Sequence, residues 1–253
     1  MIAIVLPKAD DRILSALTFQ KNKKFKVYLV TGDADDYPTL NVQHGSWSQV
    51  KERFVCILEP GAVPDPHFVC KINWTTKMHP KFDVYHVNVE GEEAFPRKAS
   101  AKKVFQLAVF DGVKAPLSSF VFRANTLRAK AVFRADGTLN TLPTVLSCAA
   151  ARPVRNIWRG KLEWKAPEYS ETEKDFRERL DLLRWTEDFF GDDDYPLSVG
   201  NQLGLFAAAV AKLKPFHTED ELKEIMEGFL VSQGTIRRMR ALSALKDALK
   251  GSE

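Results

Sequence analysis

Over the first two thirds of the chain, apolar runs alternate with spacers whose apolar positions recur at helical intervals. Residues 2–6 (IAIVL) are an unbroken aliphatic run ended by Pro7, the pattern of a buried strand. Asp10 or Asp11 is placed to cap a helix reaching about residue 20, with Ile13, Leu14, Leu17 and Thr18 expected on its inner face. Residues 25–30 (FKVYLV) predict a second strand, and residues 31–36 (TGDADD) the loop at its carboxyl end. A short helix is expected to close over residues 50–53, ahead of a third strand at 54–58 (FVCIL). Residues 65–76 read as helical, with Phe68, Val69 and Ile72 inward, and residues 83–89 (DVYHVNV) as a fourth strand. Such alternation predicts an α/β fold with a mostly parallel sheet and crossover helices. The runs at 2–6, 26–30, 54–58 and 84–89 are expected to be neighbouring strands of that sheet.

Further along, residues 98–110 suit a helix, 118–123 a strand, 125–131 a short helix and 143–151 a helix stopped before Pro153. Residues 154–164 predict one strand or two short ones. From Glu168 the pattern changes to helices alone, at about 170–190, 198–213, 219–232 and 235–249, with a capping box at Thr218 and Glu221. The expected organisation is an α/β domain over residues 1–167 and a helical carboxyl-terminal extension over residues 168–253.

Composition narrows the class. A chain of 253 residues is long enough for one large α/β domain with an extension. No apolar run approaches the ~20 residues of a membrane span. The amino terminus meets acids too soon for a signal peptide and reads as a first strand. Cys56, Cys70 and Cys148 are widely spaced in apolar contexts. They predict reduced core thiols and a cytoplasmic protein, not a disulfide frame or a zinc site. A net charge of +4 suits plain solubility or a phosphate-bearing ligand. Nothing in the pattern fixes an oligomeric state.

The chemistry concentrates at residues 54–69 (FVCILEPGAVPDPHFV). A buried strand runs into Glu59, a Pro-Gly turn follows, and Pro64, Asp65 and Pro66 lead into the next helix. In α/β proteins the carboxyl end of a parallel strand opens into the ligand crevice, and an acid there serves a metal or a sugar. The stretch resembles the strand and acidic "FLDxDD" motif of family-2 glycosyltransferases. Glu59 survives as its first acid, and Gly61 and Ala62 stand where further acids are expected, so the DXD motif is degenerate. Other segments agree in order. IAIVLPKADD resembles the family's "VSVIIPTYN" opening, and LSALTFQKNKKFKVYLVTGDADD resembles "SLxxQxxxxxEIIVVDDGSxD", with Gln20 at the family glutamine. NVQHGSWS is similar to "NxGxSxAxN", and LSSFVFRANTLRAKAVF is similar to the acceptor-side segment that precedes the catalytic acids.

The resemblance covers residues 2–165 and implies a GT-A fold that transfers sugar from a nucleotide-diphosphate donor to an acceptor the sequence does not name. It implies that Pro7, Asp10, Thr31, Asp33, Glu59 and Gly61 line one donor cleft. Glu59 would hold a divalent cation, manganese or magnesium, against the diphosphate. Asp136, the one acid of residues 136–147, would be the base that takes the acceptor's proton. Two other readings stay open: a non-catalytic relative kept for binding or assembly, and a nucleic-acid-directed protein using its basic patches. Those patches are Lys21, Lys23, Lys24 and Lys26; Arg97, Lys98, Lys102 and Lys103; and the amphipathic segment 236–249. For each, a solvated or packed surface of the fold is the preferred reading. Asp192, Asp193 and Asp194 read as a cation site or as solvated helix-end acids.

Overall fold

In the computed structural model, residues 1–92, 94–109, 113, 115–134 and 136–165 are described, together with residues 185 and 189. The chain divides into two compact units, Met1–Pro167 and Glu168–Glu253. In the second unit, Trp185 and Phe189 are helical and stack with ring centroids 5.0 Å apart. The other helices expected beyond residue 168, the Asp192–Asp194 acids and the basic segment 236–249 lie outside the described residues.

The first unit begins as the apolar pattern predicts. β1 (Ile2–Leu6) is buried along its whole length. α1 (Asp11–Thr18) starts at Asp10, whose side chain accepts hydrogen bonds from the Arg12 and Ile13 N–H groups at 3.0 and 3.2 Å. Then come β2 (Phe25–Leu29), β3 (Val42–His44), β4 (Phe54–Ile57), β5 (Ala62–Pro64), α2 (Phe68–Met78) and β6 (Val84–Val89). The unit continues through β7 (Lys98–Ala99), α3 (Ala101–Val109), β8 (Phe120–Arg123), α4 (Ala124–Lys130), α5 (Thr141–Ala149) and β9 (Val154–Trp164).

The strands form one sheet in the order β3-β2-β1-β4-β8-β6-β9-β5, with β7 on the outer side of β9. β1 pairs in parallel with β2 and β4, and β2 with β3. On one face Ile2, Ile4, Leu6, Val27, Leu29, Cys56 and Tyr85 share a core with Ile13, Leu14 and Leu17 of α1 and with Phe68, Val69 and Ile72 of α2. α4 packs on β8 and α5 on β6. Burial of these side chains, at roughly 1.5–3 kcal/mol each, is the main force holding the layers together.

Several expectations need correction. The run at 84–89 is not beside the run at 54–58. β8 lies between them, antiparallel to both. Its Phe120, Val121 and Phe122 are all buried. A strand apolar on both faces belongs in the middle of a sheet, and there β8 divides two groups of parallel strands. Residues 62–64, for which the sequence predicts no strand, form β5 on the sheet edge, where Pro64 needs no ladder donor. Residues 98–99 form β7 and shorten the helix expected from 98. No helix closes over 50–53; a short 3₁₀ turn occupies Trp47–Gln49 instead. No helix among the described residues is long and apolar enough to cross a membrane. Cys56 and Cys148 are buried, Cys70 is partly buried, and all three are free thiols.

Candidate functional site

Because β1, β2 and β4 are parallel, the loops that follow them emerge at one edge of the sheet. The first two loops are tied together. Ala9 N–H donates to the Thr31 carbonyl at 3.0 Å, and the Thr31 hydroxyl donates to the Pro7 carbonyl at 2.9 Å. Gly32 lies at φ +90°, and a Cβ on it would stand 2.8 Å from the Ala9 Cβ. Only glycine allows this approach. Gly32→Ala is therefore expected to destabilise the unit by ~1–3 kcal/mol, read by urea unfolding, with an unchanged midpoint as the result against it. Asp10 is occupied as the cap of α1, and Asp33 is exposed in the second loop.

Glu59 follows β4 at the same edge and is partly buried. Its N–H donates to the Ser118 hydroxyl at 2.8 Å. Burial raises its carboxyl above the ordinary value. The positive charge of Arg134 and hydrogen bonds from the Ser118 hydroxyl and the Ser118 and Leu117 N–H groups pull it back. The 3₁₀ turn Leu117–Ser119 thus presents its amino end to the acid. Gly61, at φ +86°, turns the chain into β5. Its carbonyl accepts from Lys165 N–H at 3.1 Å, and an added Cβ would meet the Lys165 carbonyl oxygen at 2.9 Å.

Arg134 and Asp136 belong to a hairpin closed by the Phe133–Leu139 bridge. Asp136 is exposed, and its Oδ1 accepts from the Thr138 N–H at 2.9 Å and from the Thr138 hydroxyl at 2.6 Å. This is the Asx turn that an Asp-Gly pair favours. Phe133 stacks on Trp47, centroids 6.0 Å apart, linking the hairpin to the segment after β3. The structure thus brings Pro7, Thr31 and Asp33 to one edge with Glu59, and places Arg134, two residues before Asp136, within electrostatic reach of Glu59.

Among the described residues no three His, Cys, Asp or Glu side chains gather into a metal cage. A cation at Glu59 would draw its remaining ligands from phosphate oxygens and water, an arrangement that magnesium favours. Sequence reasoning missed Ser118 and Arg134. It also matched Gln20 without its task. Gln20 is buried, donates to the Ala16 and Asp65 carbonyls at 3.2 and 2.7 Å, and accepts from Val69 N–H at 3.0 Å. It fastens the end of α1 to the first turn of α2, the helix that follows the Glu59 turn.

No protein-family model matches the sequence, and no curated protein matches it. Solved structures do. The crystal structure of residues 1–349 of S. aureus TarS in complex with UDP-GlcNAc superposes with a TM-score of 0.53 at 12% identity, over 100% of this chain and 81% of that one. The TarS complex with UDP superposes with a TM-score of 0.51 at 13% identity, over 99% and 80%. TarS is a family-2 glycosyltransferase, and the likeness shows the GT-A fold for this chain.

Proposed function

We propose that the chain transfers a sugar from a nucleotide-diphosphate donor, bound by residues 1–167, to an acceptor hydroxyl, with residues 168–253 as a helical extension. The observation that carries the proposal is the edge at which two interlocked loops meet a strand ending in a partly buried acid. Pro7, Thr31 and Asp33 cradle the base and ribose, with Asp10 fixing the helix behind them. Gly61 lets the chain turn away from the diphosphate. Arg134 offers positive charge to the leaving group. Glu59 would hold a divalent cation, whose charge would neutralise the diphosphate. Asp136 takes the proton of the acceptor hydroxyl as its oxygen bonds to the anomeric carbon and the bond from that carbon to the diphosphate oxygen breaks. The donor's nucleotide and sugar are for experiment to identify; the TarS neighbour's UDP-GlcNAc is the first to try.

The test is calorimetric titration of the full chain with uridine, guanosine and thymidine diphosphate sugars, with and without manganese. At least one donor is expected to saturate. Glu59→Ala is expected to weaken that binding by ~1–3 kcal/mol, the scale for losing a charged contact, and to remove its manganese dependence. Because burial raises the Glu59 carboxyl, the manganese effect is expected to grow as pH rises through and beyond the ordinary carboxylate range. Unchanged affinity and unchanged manganese dependence would exclude Glu59 as a ligand. Silence from every donor would favour the second reading, a non-catalytic relative, which the single surviving acid of the motif already supports.

A further inference from the structure

Three strands across the sheet from β4, at the amino end of β9 and reaching Asn88 near the carboxyl end of β6, lies a cavity of about 510 Å³ that the donor reading leaves unused. Trp74 and Thr75 of α2, with His79 at its end, form one side. Asn88, Phe95, Arg97, Arg155 and Asn156 are among the residues on the other sides. A second recess, where Lys98 and Phe82 join His79, Arg97 and Arg155, adjoins it.

The unusual member is Arg155. It is only 6% exposed, and its Nε has no hydrogen-bond partner. Its Nη2 lies 3.0 Å from His79 Nε2, and its guanidinium carbon 5.9 Å from the Phe82 ring centroid. Arginine only donates, so His79 accepts through Nε2 and carries its proton on Nδ1. No carboxylate among the described residues pairs with Arg155. Instead, Arg97 and Lys98 bring two more positive charges to the same walls. A buried cation beside like charges is costly unless an anion joins it. Burial and Arg97 lower the Arg155 pKa, and burial, Arg155, Arg97 and Lys98 lower that of His79.

On the opposite face of β9 the Asn156 amide donates to Asn88 Oδ1 at 3.0 Å and to the Phe95 carbonyl. The basic wall formed by Arg155, Arg97 and Lys98 therefore lacks an acceptor. A phosphate monoester supplies it, with anionic oxygens for the guanidinium groups of Arg155 and Arg97. Trp74 and Phe95 add aromatic surface for whatever the phosphate carries.

We infer that this cavity binds a small phosphate monoester with an apolar body, at a site separate from the donor edge. The inference stands whether or not the donor reading does. Calorimetric titration of the full chain with phenyl phosphate tests it, with inorganic phosphate, benzoate and benzyl alcohol as comparisons. Phenyl phosphate is expected to saturate, and each comparison to bind at least ~10-fold more weakly, because each lacks one part of the match. Arg155→Met is expected to weaken phenyl phosphate by at least ~10-fold. Arg97→Ala, an exposed position that preserves the fold if Arg155→Met does not, is expected to weaken it several-fold. Excess UDP-GlcNAc is expected not to compete. Parent protein that does not bind phenyl phosphate would overturn the site, including the case in which a carboxylate of this chain already fills it. So would full binding by the Arg97→Ala variant, or competition by the nucleotide sugar. A chain that binds phenyl phosphate but no donor would retain this site and lose the donor reading.

Discussion

Acidification is expected to destabilise this protein through one histidine. His86, in the middle of β6, is 1% exposed, and neither ring nitrogen has a hydrogen-bond partner. Phe95 stacks on it at 3.7 Å between centroids, and Phe120 meets it edge-on at 5.1 Å. Burial drives its pKa down from 6.5 to about 3. The folded ring is therefore neutral where the unfolded ring is charged, and between those values the unfolded chain binds more protons. Stability must fall as pH falls below 6.5, by ~1.4 kcal/mol per unit until the folded pKa is reached. Urea unfolding between pH 7.5 and 4.5 is expected to show a loss of about 2–3 kcal/mol from this residue alone. His86→Leu removes the titrating group and with it that part of the slope. It is also expected to match or exceed the parent at neutral pH, since an unsatisfied buried polar group is gone. Identical pH slopes in parent and variant would mean that His86 titrates normally.

Replacing Asp136 by Asn is expected to lower the rate of sugar transfer by ~10²–10⁴-fold, the usual contribution of a general base. Asn separates two roles that the structure gives this side chain. Its Oδ1 can still accept from the Thr138 N–H and hydroxyl, so the turn that carries Arg134 is retained while the charge is lost. Asp136→Ala removes both. A rate loss shared by Asn and Ala would fit the base. A loss seen only in Ala would assign Asp136 to the turn alone, and transfer that survives in Asn would discard the base assignment.

Much of the sheet was legible because buried strands carry dense apolar runs. Ile2–Leu6, Phe25–Leu29 and Phe54–Ile57 are strands within a residue or so of their expected bounds. The short edge strands were not legible. Val42–His44 has a single apolar residue, Ala62–Pro64 ends in a proline, and Lys98–Ala99 sits in a window with helical spacing. The place of β8 was hidden for another reason. Its composition marks a buried strand, but its direction and neighbours are set by the connections around it. At the candidate site, Glu59 could be found because it ends a strand. Ser118, 59 positions further on, could not, because a contact between distant positions leaves no local periodicity. Gln20 stood out only through resemblance, since its partners at Asp65 and Val69 likewise lie far along the chain.

The hydrogen bond from Lys165, the residue after β9, to Gly61 makes the carboxyl end of that strand a latch on the turn after Glu59. Beside it, Trp164 pairs with Ala62 and Glu163 with Val63. Fraying at the carboxyl end of β9 would release this short edge ladder first, and with it the geometry of the turn. Edge segments of this kind open at low free energy while the central strands stay closed. The amides of Lys165 and of β5 should then exchange with solvent as one group, faster than those of β1 and β4. A ligand that needs Glu59 in place would slow that group, so the order of the acid and the order of the strand's last turn of chain are a single equilibrium.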